Sequence, residues 1–233
     1  AGHLAGLIPD GATIEAGAGD TVSRALSCLD GPRDLGVHSE MFVDALMELT
    51  RRGVVTNARK ALEPHRSVAT MAFGSEELYR FIDDNPGVEL HPAQYVLDPR
   101  VIARHPRLIA LNTCYQVDLL GQVNAEARGT AQMTGVGGQT DFARGAALSA
   151  GGRSVILLRS TARGGTISTI VAGFEPGTPV TSTRNDVHYV VTEHGVAQML
   201  NRSVRERALA LIGVAHPSFR DELAYRARKL RLI

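Results

Sequence analysis

The 233 residues are 44% apolar and 21% charged, which excludes global disorder and allows a sizeable core in one large domain or two small ones. Twenty-five Lys and Arg against 24 Asp and Glu leave a net charge of +1, too weak a field to hold a nucleic acid or an anionic membrane. With 5% aromatic residues and no Trp there is no stacking platform for single strands, and two cysteines, Cys28 and Cys114, make neither a disulfide scaffold nor a four-cysteine zinc site.

The first residues, AGHLAGLIPDGATIEAG, carry no cationic stretch before an apolar one, so they do not read as a secretory signal. No apolar run approaches the roughly 20 residues that span a bilayer. Reduced thiols and a cytoplasmic location are expected. The chain opens on Ala rather than Met, which predicts a piece of a longer protein.

Short β-rich runs then alternate with helical ones. TIEAG (13–17) reads as a strand and TVSRALSCL (21–29) as a helix. DLGVHS (34–39) reads as a strand and EMFVDALMELTRRG (40–53) as a helix. In that helix Met41, Phe42, Ala45, Leu46 and Leu49 form one apolar stripe, with Gly53 as the stop. SVATMAF (67–73) precedes a helix over 75–84, and RLIALN (107–112), SVILL (154–158), TISTIV (166–171) and HYVVTE (188–193) are further strands. Ser203 and Glu206 make a capping box before Ala208, Leu211 and Ile212. Pro217 and Ser218 start a last helix, with Phe219 and Leu223 on one face. Such alternation predicts an α/β fold, a mostly parallel sheet flanked by helices.

Ligands in such sheets bind beyond the carboxyl ends of strands, and three places there carry unusual residues. Gly17-Ala18-Gly19-Asp20 follows the first strand, where glycines let backbone approach a ligand and a helix N-terminus favours an anion; the same residues also make an ordinary tight turn. In Val37-His38-Ser39-Glu40-Met41, Ser39 reads as an N-cap and Glu40 as the first helical residue, favoured by the helix dipole by about 0.3–1 kcal/mol. A carboxylate held there can act as a nucleophile. The third place, Gly135-Val136-Gly137-Gly138-Gln139-Thr140-Asp141-Phe142, offers backbone N–H groups to an oxyanion or phosphate, without the Lys-Ser/Thr of a P-loop. The eight histidines show no zinc-type spacing, and no metal site is expected. Glu193-His194 is the one acid–imidazole neighbour pair of interest. No G-x-S-x-G is present for a serine hydrolase.

These places occur in a recognisable order. LGVHSEMFVDALMEL (35–49) resembles the active-site segment of the acetyl-CoA hydrolase/transferase family, which includes 4-hydroxybutyrate and acetate CoA-transferases. The resemblance continues through LNTCYQVDLLGQVNAE (111–126), GVGGQTDFARGA (135–146), STARGGTIS (160–168), TSTRNDVHYVVTEHGVA (181–197) and AHPSFR (215–220). It implies a CoA-transferase (NagB/RpiA-like) fold and Glu40 as the residue that becomes linked to CoA. It implies that Gly138 serves the oxyanion and CoA within the loop Gly135–Gly138, that Gly135 and Gly137 take part in that contact, and that Gly17, Gly19 and Asp20 flank CoA. Arg163 stands where the family has a basic CoA contact, usually Lys, and Leu97 stands where many members have Asn near the glutamate.

The resemblance further implies acyl-CoA and small carboxylic acids as substrates, CoA as a substrate rather than a resident cofactor, and no metal. The matching region, 1–233, is the family's C-terminal catalytic half. The related N-terminal half is then a missing partner, the active site lies between the halves, and a homo-oligomer is possible. Acyl-CoA hydrolysis and a non-catalytic CoA-binding half are the alternatives.

Overall fold

Thr13–Ala16 follow the turn around Pro9 and Gly11 and form β1, buried along its whole length. In the computed structural model, which describes residues 1–233, β1 lies inside a parallel sheet of the first of two compact units, Ala1–Asn112 with Asp141–Ser154. The elements of this unit are α1 (Gly2–Ala5), α2 (Asp20–Ser27), β2 (Gly36–Phe42), α3 (Asp44–Arg51), β3 (Ser67–Ala72), α4 (Glu76–Ile82), β4 (Val88–Leu90), α5 (Ala93–Val96), α6 (Pro99–Ile102) and β5 (Leu108–Thr113). The strands run in the order β5-β1-β2-β3-β4. Thr13 pairs with Leu108 on one side and Gly36 on the other, His38 with Val68, and Ser67 with Val88, all parallel. Parallel neighbours need crossovers, and the helical segments between strands provide them. From Asp141 on, α7 (Gln139–Leu148) packs Phe142 and Ala146 against Val68, Val96, Ile102, Leu108 and Ala110. Gly145 permits that approach, since a Cβ there would lie 2.3 Å from Ile102 Cγ2.

The second unit, Thr113–Thr140 with Val155–Ile233, is built from shorter pieces. They are β6 (Gln116–Asp118), β7 (Val123–Asn124), β8 (Ala127–Arg128), β9 (Ala131–Gln132), β10 (Arg153–Leu157), β11 (Thr161–Ala162), β12 (Ile167–Ser168), β13 (Ile170–Val171), β14 (Tyr189–Thr192), β15 (Gly195–Gln198), α8 (Val204–Val214) and α9 (Pro217–Lys229). β14 runs parallel to β10 and antiparallel to β15. Ile156, Val190, Ala197, Leu211 and Leu223 share its core with Val117, Val123 and Ile170. The capping box of Ser203 and Glu206 is present at α8, and α9 begins at Pro217, as the sequence predicts.

Two expectations change. The helix over 40–53 is shorter and begins at Asp44, because Met41 and Phe42 pair with Met71 and Ala72 as strand residues of β2. Ala45, Leu46 and Leu49 still face the core, and Gly53 follows the helix at φ 72°, the left-handed stop. Phe42 is buried from the sheet rather than from the helix. The strand over 166–171 is two strands: β12 is antiparallel to β11, and β13 is parallel to β6. The break falls at Thr169, whose hydroxyl donates to Arg159 O at 2.6 Å, while Ser168 Oγ donates to Ile170 O at 2.7 Å. Side-chain hydroxyls that bond nearby backbone in this way compete with a continuous ladder. Cys28 is exposed, Cys114 is half-buried, and both are free thiols. No helix is long and apolar enough to cross a membrane.

Candidate active site

Glu40 lies within β2 and is half-exposed, while His38 and Ser39 before it are fully buried. Strand side chains alternate, so Glu40 shares a face with His38 and Ser39 takes the other. Ser39 is therefore not a helix cap. Its Oγ accepts from Ala16 N–H at 3.1 Å and ties β2 to the carboxyl end of β1. The helix-dipole support expected for Glu40 falls away with the cap, because α3 starts four residues later.

A second carboxyl stands beside it. Glu15, on β1, is 1% exposed, and its Oε2 accepts from Asn112 Nδ2 at 2.9 Å. Burial, and then the charge of Glu40, hold Glu15 well above the ordinary carboxyl value of 4.5, against the pull of its bonds to the Leu111 backbone and Asn112. A single Glu in a strand pattern carries no sign in the sequence that it faces inward.

The turn after β1 needs its glycines for shape. Gly17 N–H donates to Leu111 O at 2.7 Å, and a Cβ on Gly17 would lie 2.3 Å from Asn112 Oδ1. Gly19 caps α2 at φ 128°, a backbone state that L side chains rarely adopt. Asp20 is the first residue of α2 and complements that helix's N-terminus itself. Thus Gly17, Gly19, Asp20 and Glu40 all belong to the first unit, around the ends of β1 and β2.

The remaining predicted residues belong to the second unit. Gly135 and Gly137 are exposed, and Gly138 is buried immediately before α7. A Cβ at Gly135 would meet nothing within 4 Å, so packing does not account for that glycine. Gln139 Nε2 donates to Ser182 Oγ at 3.1 Å, and Thr140 Oγ1 to Thr181 O at 2.7 Å, which fixes the end of the loop. Arg163 is exposed at φ 48° in a short 3₁₀ turn, Arg163–Gly165. It lines a cavity of about 460 Å³ with Arg128, Tyr115, Ser168 and Thr169. The Arg128 guanidinium lies 5.5 Å from the centre of the Tyr115 ring. Two guanidinium groups beside an aromatic ring and hydroxyls suit an anionic ligand.

Leu97 ends α5 and packs on the cluster around Val96 and Ile102. Glu193 and His194 form the two-residue turn between β14 and β15. Glu193 accepts from Ser160 N–H at 3.0 Å and Ser160 Oγ at 2.5 Å, an anchoring arrangement. The spacing of His38, Glu63 and His105 gave no hint that they meet, yet their ligand atoms lie within 4.8 Å of one another.

The acetyl-CoA hydrolase/transferase C-terminal domain profile matches residues 74–227. A 4-hydroxybutyrate coenzyme A transferase from Clostridium kluyveri is 45% identical over 97% of the chain and 53% of its own length. The crystal structure of RipA from Yersinia pestis is 44% identical and superposes with a TM-score of 0.94, covering all of this chain and 52% of that one. The structure of a 4-hydroxybutyrate CoA-transferase from Porphyromonas gingivalis is 39% identical, with a TM-score of 0.85 over 98% of this chain and 54% of that one. The chain spans about half the length of these relatives. An acetyl-CoA hydrolase from Yarrowia lipolytica is more distant, at 27% identity. By profile, sequence and fold together, the chain belongs to the acetyl-CoA hydrolase/transferase family.

Proposed function

We propose that the protein carrying this chain is a CoA-transferase that moves CoA from an acyl-CoA to a small carboxylic acid through a glutamyl-CoA thioester on Glu40. The observation that carries the reading is a half-exposed Glu40 on β2 beside the buried carboxyl of Glu15. The acyl-CoA relatives support the substrate class. A Glu40 carboxylate oxygen attacks the thioester carbonyl carbon, the C–S bond breaks, and the CoA thiolate leaves a mixed anhydride. The thiolate then attacks the glutamyl carbonyl and releases the donor's carboxylate. An acceptor carboxylate reverses both steps and departs as the new acyl-CoA. Covalent relay divides one hard exchange into easier ones. Each attack builds an oxyanion, a charge of the kind that preorganised backbone N–H groups stabilise. Arg163, with Arg128 in the same cavity, is proposed to meet the anionic part of CoA. The residues 1–233 act as the C-terminal half of the catalytic unit, with a related N-terminal half as partner.

The test is to incubate the whole protein with acyl-CoA and no acceptor, reduce with borohydride, and map the peptide by mass spectrometry. A glutamyl thioester becomes an alcohol at Glu40. Glu40→Gln keeps the shape, loses the nucleophile and abolishes labelling with the fold intact. Glu40→Asp withdraws the oxygen by about 1 Å, which costs on the order of 10²-fold in an oriented reaction. A reduced residue at Glu15, Glu48 or Glu193 instead, or full turnover in Glu40→Gln, overturns the assignment. Steady release of free acid and CoA without acceptor, after the same labelling, marks the protein as a hydrolase.

A further inference from the structure

Three side chains that the proposed chemistry does not use meet inside the first unit. His38 comes from β2, Glu63 from the segment between α3 and β3, and His105 from the turn between α6 and β5. Both imidazoles are fully buried, with ring centres 4.7 Å apart. His38 Nε2 lies 2.9 Å from Val96 O, which can only accept, so Nε2 carries the proton and Nδ1 keeps its lone pair. That Nδ1 has no hydrogen-bond partner, nor has either ring nitrogen of His105, nor Glu63 Oε2. The other Glu63 oxygen accepts from the Tyr95 hydroxyl. One buried polar atom left unpaired costs about 1–3 kcal/mol, so a group of them facing one another calls for a ligand. Burial keeps both rings neutral, lowering His38 to about 4 and His105 to about 2, so their lone pairs are available at neutral pH.

We propose that His38 Nδ1, one ring nitrogen of His105 and Glu63 Oε2 bind a first-row divalent transition metal, with zinc as its reference ion. Two imidazoles and a carboxylate are a donor set that zinc and iron(II) both take. The outer contacts of such a site are already in place: a backbone carbonyl on the far nitrogen of His38 and a phenol on the far oxygen of Glu63. Metal–ligand bonds of about 2.0–2.2 Å set tetrahedral donors roughly 3.4 Å apart, so the cluster contracts on binding. Glu63 is half-buried at φ 43° in an irregular segment and makes that adjustment. Lys60 acts on both rings and Arg104 on His105; the Lys60 Nζ is engaged with Arg66 O, to which it donates at 2.7 Å. The metal ties two other chain segments to β2 two residues before Glu40, a positioning role that does not depend on what Glu40 does.

Untagged whole protein is stripped with chelator, dialysed, and titrated with Zn²⁺ and separately with Co²⁺. The expected result is one metal per chain, a raised melting temperature with zinc, and a visible Co²⁺ spectrum without a thiolate charge-transfer band. Glu63→Gln leaves an acceptor for Tyr95 and melts near wild type in chelator. It weakens zinc binding by about tenfold or more and removes the zinc-dependent shift. His105→Gln does the same; should it fail to fold, Glu63→Gln at the half-buried position carries the test. No zinc retained and no Co²⁺ spectrum at one equivalent, or undiminished binding in Glu63→Gln, overturns the proposal.

Discussion

Gly17→Ala probes a crowded point at the carboxyl end of β1, next to the donor that serves Glu15. The added Cβ would meet Asn112 Oδ1 at 2.3 Å, and Asn112 Cγ and Leu111 O at 3.0 Å. Carbon contacts settle near 3.5 Å, so the Asn112 amide must retreat by about 1 Å. Asn112 is 7% exposed and has little room, and its Nδ2 is the donor to Glu15 Oε2 at 2.9 Å. Overpacking of this kind costs about 1–3 kcal/mol, and a buried carboxyl that loses its donor costs about 1–3 kcal/mol more. A total near 3 kcal/mol lowers the melting temperature by roughly 6–12 °C in a chain of this size. The assay is urea unfolding of wild type, Gly17→Ala, Asn112→Ala and the double variant. With the Asn112 side chain gone the clash is relieved, so the cost of Gly17→Ala falls by more than about 1 kcal/mol in that background. A Gly17→Ala cost under about 0.5 kcal/mol, or an equal cost in both backgrounds, refutes the reasoning.

Glu15→Gln tests the raised pKa of the buried carboxyl. Glu15 keeps its proton in the fold to a pH at which the unfolded chain has lost it, so its contribution is present below about 4.5 and is lost as pH rises through the folded value. The Gln variant therefore gains stability relative to wild type between pH 4.5 and pH 8; an unchanged difference between those pH values refutes the shift. Ser39→Ala removes the acceptor of a buried Ala16 N–H and costs about 1–3 kcal/mol in denaturant unfolding, whereas a cost near zero means that β1 and β2 are not joined there. Gly138→Ala, read by turnover against melting temperature in the whole protein, lowers turnover far more than stability; a loss matched to the folded fraction leaves the loop with a purely structural role.

The sequence was most legible where one local signal decided the structure. Ser203 and Glu206 cap α8 because their reciprocal bonds lie within four residues, and Pro217 opens α9 because its missing N–H is spare at a first turn. The order of strands and helices was readable for the same reason: each element carries its own periodicity. Legibility failed where a distant partner decided. Residues 40–42 have helical spacing, but pairing of Met41 and Phe42 with Met71 and Ala72 holds them in the sheet. The inward direction of Glu15, and the meeting of His38, Glu63 and His105, depend on segments far apart in the chain, which no spacing rule spans.

The change at residue 40 alters the physical account of the candidate nucleophile. On a helix, Glu40 would owe its setting to a terminal dipole worth about 0.3–1 kcal/mol and easily screened. On β2 the residues on either side of it, Ser39 and Met41, pair with Ala69 and Met71 of β3, so its backbone has little freedom to turn away. Ser39 adds a fixed bond to β1 on the opposite face. The neighbouring Glu15 would repel Glu40 if both were charged in so dry a place. Its raised pKa means that Glu15 is the carboxyl that gives up charge, as expected when one of two adjacent acids is buried and the other reaches solvent. A paired strand and a hydroxyl tie thus hold the residue in place of the expected helix end, through backbone pairing that salt does not screen.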